Sequence, residues 1–205
     1  MKIRADKQEQ KKQMKKTGLF FGSFNPIHIG HLVLANYMLA FTDLDEVWFV
    51  ISPHNPLKEK QSLLAQHHRL YMVKLAVENH PKFKASDIEF KLSQPSYTIH
   101  TLTHLQEKYP KKNFSLIMGM DNLQNFHKWK NYEQILDKYT IYIYPRQHSH
   151  AGSFINHPNI KVTEAPVMEI SSSFIRKAIS EKKEVNCFMP EKVAAYVTEM
   201  NFYKK

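Results

Sequence analysis

Four runs of this chain are apolar almost throughout instead of on alternate residues: Leu19-Phe20-Phe21 and residues 46–51 (EVWFVI), 114–118 (FSLIM) and 141–144 (IYIY). A strand with one wet face alternates, so strands that fail to alternate are buried on both faces. Helical spacing fills the intervals. Residues 30–41 put Leu32, Val33, Leu34, Tyr37, Met38 and Phe41 on one face, and 64–78 and 98–109 repeat the pattern until Pro110 stops it. Residues 83–90 alternate and predict another strand, 132–138 a helix and 160–162 a short strand. Residues 171–181 and 190–200 predict two closing helices, with Pro190 suited to a first turn. Strands alternating with helices, and buried on both faces, predict an α/β fold: a mostly parallel sheet with helices on both faces. In such sheets ligands sit beyond the carboxyl ends of the strands, near a switch point.

No repeat or linker divides the 205 residues, so residues 17–205 are expected to form one domain. Ahead of it, residues 1–16 carry seven basic and two acidic side chains, half of the net charge of +10. That extension has no aromatic residue to stack on a base, which disfavours nucleic acid as a partner and favours a solvated, flexible extension. A phosphate-rich ligand would account for part of the remaining charge. No apolar stretch approaches the roughly 20 residues of a membrane span, and the amino-terminal residues lack a signal-peptide core. The single cysteine, Cys187, forms neither an internal disulfide nor a structural zinc site. The expectation is a cytoplasmic protein with no membrane partner; the sequence specifies no oligomeric state.

The first strand runs into Gly22-Ser23-Phe24-Asn25-Pro26-Ile27-His28-Ile29-Gly30-His31 and then a helix. Gly22 is expected to let a ligand approach the backbone, and the helix offers free N–H groups and its positive dipole end to a phosphate. His28 and His31 lie one turn apart, with only Gly30 and Ile29 between. Metal binding competes with this reading, but no zincin glutamate or third ligand is nearby. Ordinary core or capping histidines compete too, as does a class I aminoacyl-tRNA synthetase, which would need a KMSKS-like loop and a larger body. The pair alone leaves these open; its strand–glycine–helix context favours phosphate. A second cluster, Ile170-Ser171-Ser172-Ser173-Phe174-Ile175-Arg176, suits helix capping by serine and equally phosphate contact, with Arg176 able to make paired bonds.

The two clusters together resemble the nucleotidylyltransferase superfamily, with its HxGH and S-[ST]-x-x-x-R phosphate motifs. Pro95-Ser96-Tyr97-Thr98, Gly119-Met120-Asp121-Asn122-Leu123 and Phe126-His127-Lys128-Trp129 narrow the resemblance to bacterial-type nicotinate-mononucleotide adenylyltransferases, over about residues 17–203. The resemblance implies a Rossmann-like sheet and transfer of AMP from ATP to nicotinate mononucleotide, with magnesium carried on the triphosphate. It implies catalytic roles for His28, His31 and Arg176, and ATP contacts from Gly22, Ser23, Phe24, Gly119, Asp121, Ile170, Ser171, Ser172 and Ser173. Thr98 would present backbone N–H groups to the nicotinate carboxylate and Trp129 would stack on the pyridine ring. His54 and Lys58, in a loosely matching Pro-rich loop, are candidates for the mononucleotide phosphate. No protein metal site is implied. Ser23 and Asn25 stand where many relatives carry Gly and Asp, and Arg146 receives no role.

Overall fold

The structure is a computed structural model that describes residues 14–53, 63–147, 149–150 and 152–204. Six strands make one sheet: β1 (Lys15–Gly22), β2 (Glu46–Ile51), β3 (Phe83–Ser86), β4 (Lys112–Gly119), β5 (Ile141–Tyr144) and β6 (Ile160–Val162). Their order is β3-β2-β1-β4-β5-β6, and every neighbouring pair is parallel. Parallel neighbours require crossovers. The described helices are α1 (Ile29–Phe41), α2 (Gln66–Val77), α3 (Thr98–Lys108), α4 (Met120–Gln124), α5 (Tyr132–Lys138), α6 (Ser172–Ser180) and α7 (Glu191–Glu199). None is long and apolar enough to cross a membrane.

The non-alternating strands explain the layering, because successive side chains point to opposite faces. Phe20, Phe49, Ile51, Ile117 and Tyr142 pack into one core with Met38 of α1, Met72 of α2, Ile175 of α6 and Val193 of α7. Leu19, Trp48, Val50, Leu116 and Met118 pack into the other with Leu102 of α3, Leu123 of α4 and Ile135 of α5. The α/β arrangement is as expected, and the sheet is wholly parallel.

Three local expectations change. β1 starts at Lys15, ahead of its apolar run: Lys15 and Lys16 pair in register with Lys112 and Asn113, and the Glu46 carboxylate meets both Lys15 and Lys112. The strand expected over 83–90 stops at Ser86, and Ile88–Lys91 forms a 3-10 turn closed by Phe90 N–H to the Asp87 carbonyl at 2.9 Å. That turn carries Glu89 inward, where Thr101 of α3 donates to its carboxylate at 2.8 Å. Phe41 leaves the apolar face of α1, lying 72% exposed and stacked on Tyr37.

After β1 the chain builds β2 and β3 to one side, then crosses to place β4 on the other. The switch point therefore lies between the carboxyl ends of β1 and β4, at Gly22 and Gly119.

Candidate functional site

The turn from β1 to α1 has an uncommon backbone. Phe24 sits at φ 44°, in the left-handed region, which costs a bulky residue about 1–3 kcal/mol and persists only where the surroundings impose it. The Phe24 ring is 1% exposed and packs edge-on against Phe20, Phe49 and His31. A Cβ on Gly22 would come within 2.8 Å of that ring. The space over the Gly22 Cα thus holds the Phe24 ring, and that side chain faces the core, which leaves the backbone of the turn for any ATP contact.

His28 caps α1 and is 5% exposed. Its ring lies 3.7 Å from that of His31, centroid to centroid, and its backbone N–H donates to His31 Nδ1 at 3.2 Å. Accepting at Nδ1 leaves the hydrogen of a neutral His31 on Nε2. Burial, followed by the nearby Arg146 cation, lowers the His28 pKa from 6.5 to about 4, so His28 is neutral at pH 7. Its Nδ1 is buried with no hydrogen-bond partner among the described residues. A Cβ on Gly30 would sit 3.1 Å from that same atom, so the glycine keeps the imidazole in place.

The second motif is bonded directly onto this turn. Ser172 Oγ donates to the Pro26 carbonyl at 2.8 Å and Arg176 Nη1 to the Asn25 carbonyl at 2.9 Å. Ser171 is the α6 cap, its Oγ accepting from Phe174 N–H at 3.1 Å, so capping holds for one serine of the run. Ser173 is exposed and accepts from Arg176 Nη2 at 3.3 Å. Ile170 precedes the cap, half-buried.

Across the switch point, Gly119 ends β4 and Asp121 lies in the first turn of α4. A Cβ on Gly119 would meet Asp121 Oδ1 at 2.3 Å and Arg146 Cγ at 3.2 Å, so any larger residue would displace the Asp121 carboxylate. Arg146, to which the sequence reading gave no role, follows β5, lies 3.8 Å from Asp121 Oδ1 and has a buried Nε with no hydrogen-bond partner among the described residues. Its position after a strand's carboxyl end was the available signal.

Of the expected acceptor residues, Thr98 opens α3, whose first N–H groups lie outside the helical ladder. Trp129 is half-buried, one side on Phe126 at 5.3 Å. Lys130 lies over the Tyr97 ring at 4.6 Å, which links the Trp129 segment to the start of α3. Glu89, missed from sequence, supports this side: Ser96 donates to it at 3.2 Å, and burial raises its pKa against the hydrogen bonds of Thr101, Ser52 and Ser96. His54 and Lys58 lie outside the described residues. Among the described residues no cluster of three His, Cys, Asp or Glu could hold a metal ion.

The cytidylyltransferase-like family matches residues 19–178. A probable nicotinate-nucleotide adenylyltransferase of Flavobacterium psychrophilum is 56% identical over 93% of this chain and 100% of its own length. One of Bacteroides fragilis is 48% identical, covering 85% of this chain and 87% of that relative. The fold resembles Plasmodium falciparum nicotinic acid mononucleotide adenylyltransferase complexed with NaAD, at a TM-score of 0.77 and 23% identity over 92% of this chain and 97% of that one.

Proposed function

Since the chain belongs to the nicotinate-nucleotide adenylyltransferases, within the cytidylyltransferase-like family, we propose that its own residues run in-line transfer of AMP from ATP to nicotinate mononucleotide. An oxygen of the mononucleotide phosphate bonds to the α-phosphorus of ATP, the bond to the bridging oxygen of the β-phosphate breaks, and pyrophosphate departs, leaving deamido-NAD. A phosphate monoester has a second pKa near ~6, so it attacks as an anion with no general base. The protein positions two polyanions and neutralises charge that grows on the phosphoryl oxygens.

The observation that carries this reading is the buried, unpartnered nitrogen of neutral His28 beside the Arg146 cation, on a turn that receives both Ser172 and Arg176. Buried polar atoms are normally paired, and an anionic oxygen would satisfy this one. His28 and His31 stabilise the transferring α-phosphate; Arg176, the Ser173 hydroxyl and the backbone N–H groups at the start of α6 hold the outer phosphates. The backbone of residues 22–24 and 170–171, with Gly119 and Asp121, contacts the rest of ATP. Magnesium enters with the triphosphate as part of the substrate. Thr98 N–H receives the nicotinate carboxylate, where a helix start favours an anion, and the Trp129 indole stacks on the pyridine ring. The Plasmodium neighbours complexed with NaAD and APC support nucleotide substrates of this kind.

Pyrophosphate release from MgATP, measured in parallel with nicotinate mononucleotide and nicotinamide mononucleotide, tests the proposal. A strong preference for the acid with deamido-NAD as product is expected. Equal rates would remove the carboxylate role of Thr98, and release with neither would move the activity to another acceptor.

A further inference from the structure

Two side chains outside both phosphate motifs grip the β1–α1 turn from behind. Arg69, on α2, is 1% exposed, yet its side chain donates only to backbone carbonyls among its described hydrogen bonds. Nη1 reaches Ser23 at 2.7 Å and Ser52 at 2.8 Å, Nη2 reaches Pro53 at 2.8 Å, and Nε reaches Leu64 at 2.9 Å. One guanidinium thereby ties the segments that follow β1 and β2 to the segment before α2. Burying a cation among neutral carbonyls is costly unless each N–H is satisfied in a fixed geometry, so these four bonds specify where the carbonyls stand.

Tyr203 supplies the second grip. After α7 the chain folds back with Asn201 at φ 53° and Tyr203 at φ 65°. A left-handed aromatic residue needs contacts that hold it there. The Tyr203 hydroxyl donates to Asn25 Oδ1 at 2.8 Å, across 178 residues of sequence, while Leu64 N–H donates to the same oxygen at 3.3 Å. Both Arg69 and Arg176 lie near enough to act on the hydroxyl electrostatically. Asn25 and Ser23 flank Phe24, the left-handed residue of the turn, so the two grips close on either side of the strained position.

We propose that Arg69 and Tyr203 are positioning residues for adenylyl transfer: together they hold residues 23–26 in the backbone conformation that sets His28 against the transferring phosphate. The inference rests on the proposed function and deepens it. It assigns the exactness of the phosphate turn to side chains that need not touch substrate. The groups they hold, the Ser23 carbonyl and the Asn25 side chain, lie within five residues of His28, and a small misplacement of a reacting group is felt in the rate more than in binding.

The test compares wild-type enzyme with Tyr203→Phe, Arg69→Lys and Arg69→Met. It measures kcat, the KM for MgATP and for nicotinate mononucleotide, the thermal midpoint, and the imidazole NMR signals of His28 and His31 without substrate. Tyr203→Phe keeps the ring and loses one hydrogen bond, so kcat is expected to fall about 3- to 10-fold with the KM for MgATP little changed and both imidazole signals shifted. Arg69→Lys should retain more activity than Arg69→Met, because an ammonium still donates to some of the carbonyls. If Arg69→Met fails to fold, Tyr203→Phe and Arg69→Lys decide the matter. A lower thermal midpoint with unchanged kcat and unchanged imidazole signals would overturn the proposal, leaving both residues merely structural. If the wild-type enzyme forms no dinucleotide, the proposed function fails, and the imidazole signals of the variants still judge the clamp: unshifted signals overturn it.

Discussion

His28 carries a pH dependence whose sign follows from its burial. The unfolded chain binds a proton at this imidazole near 6.5 and the folded one near 4. Between those values the unfolded state holds more protons, so stability is intact above about pH 6.5 and declines as the pH falls towards about 4, by roughly 3 kcal/mol at most. Urea unfolding of the wild type and of His28→Asn at pH 7, 5.5 and 4.5 measures it; the variant should lose less stability on acidification. Identical pH slopes would mean that the imidazole is not held neutral. At pH 7 the same variant should lose about 100-fold or more in kcat, the scale found for removing a transition-state donor, with a much smaller change in KM. A raised KM with unchanged kcat would make His28 a binding group only. The motif histidines were legible because their chemistry is contiguous in sequence. Arg146, Arg69, Tyr203 and Glu89 were not, because each acts through partners that only the tertiary fold brings near, such as the 46 residues separating Arg69 from Ser23.

Elements were legible where burial is two-sided. The central strands announced themselves by failing to alternate, and the α/β class followed from the helices between them. β3 was misread because its alternation continues past Ser86; the chain turns there to bury Glu89 against Thr101 of α3 and Ser96 of the loop before it. At α6 the sequence left the serines a choice of capping or phosphate contact; in the structure Ser171 caps the helix, while Ser172 holds the Pro26 carbonyl. Ser171→Ala should therefore cost about 0.5–2 kcal/mol of stability, read as a lower urea midpoint at unchanged slope. A stability loss confined to Ser172→Ala would reverse that division.

For the molecule as a whole, the candidate site lies where the order of strands reverses, between β1 and β4, and it is closed by contacts between distant parts of the chain. Ser172, Arg176 and Tyr203 reach back 146, 151 and 178 residues to the first turn. Contacts of that separation form after local helices and their immediate packing, because the loop they close is long. In refolding from urea, recovery of helical circular dichroism should precede recovery of dinucleotide synthesis; coincident recovery would show that the closing contacts form with the rest of the fold. Arg69, Ser172 and Arg176 hold the carbonyls of Ser23, Pro26 and Asn25, groups that every amino acid possesses. Tyr203 needs only an acceptor oxygen at position 25, which Asn and Asp both provide. Exchange of Ser for Gly at position 23, or of Asn for Asp at position 25, therefore leaves the shape of the turn in the keeping of residues elsewhere in the chain.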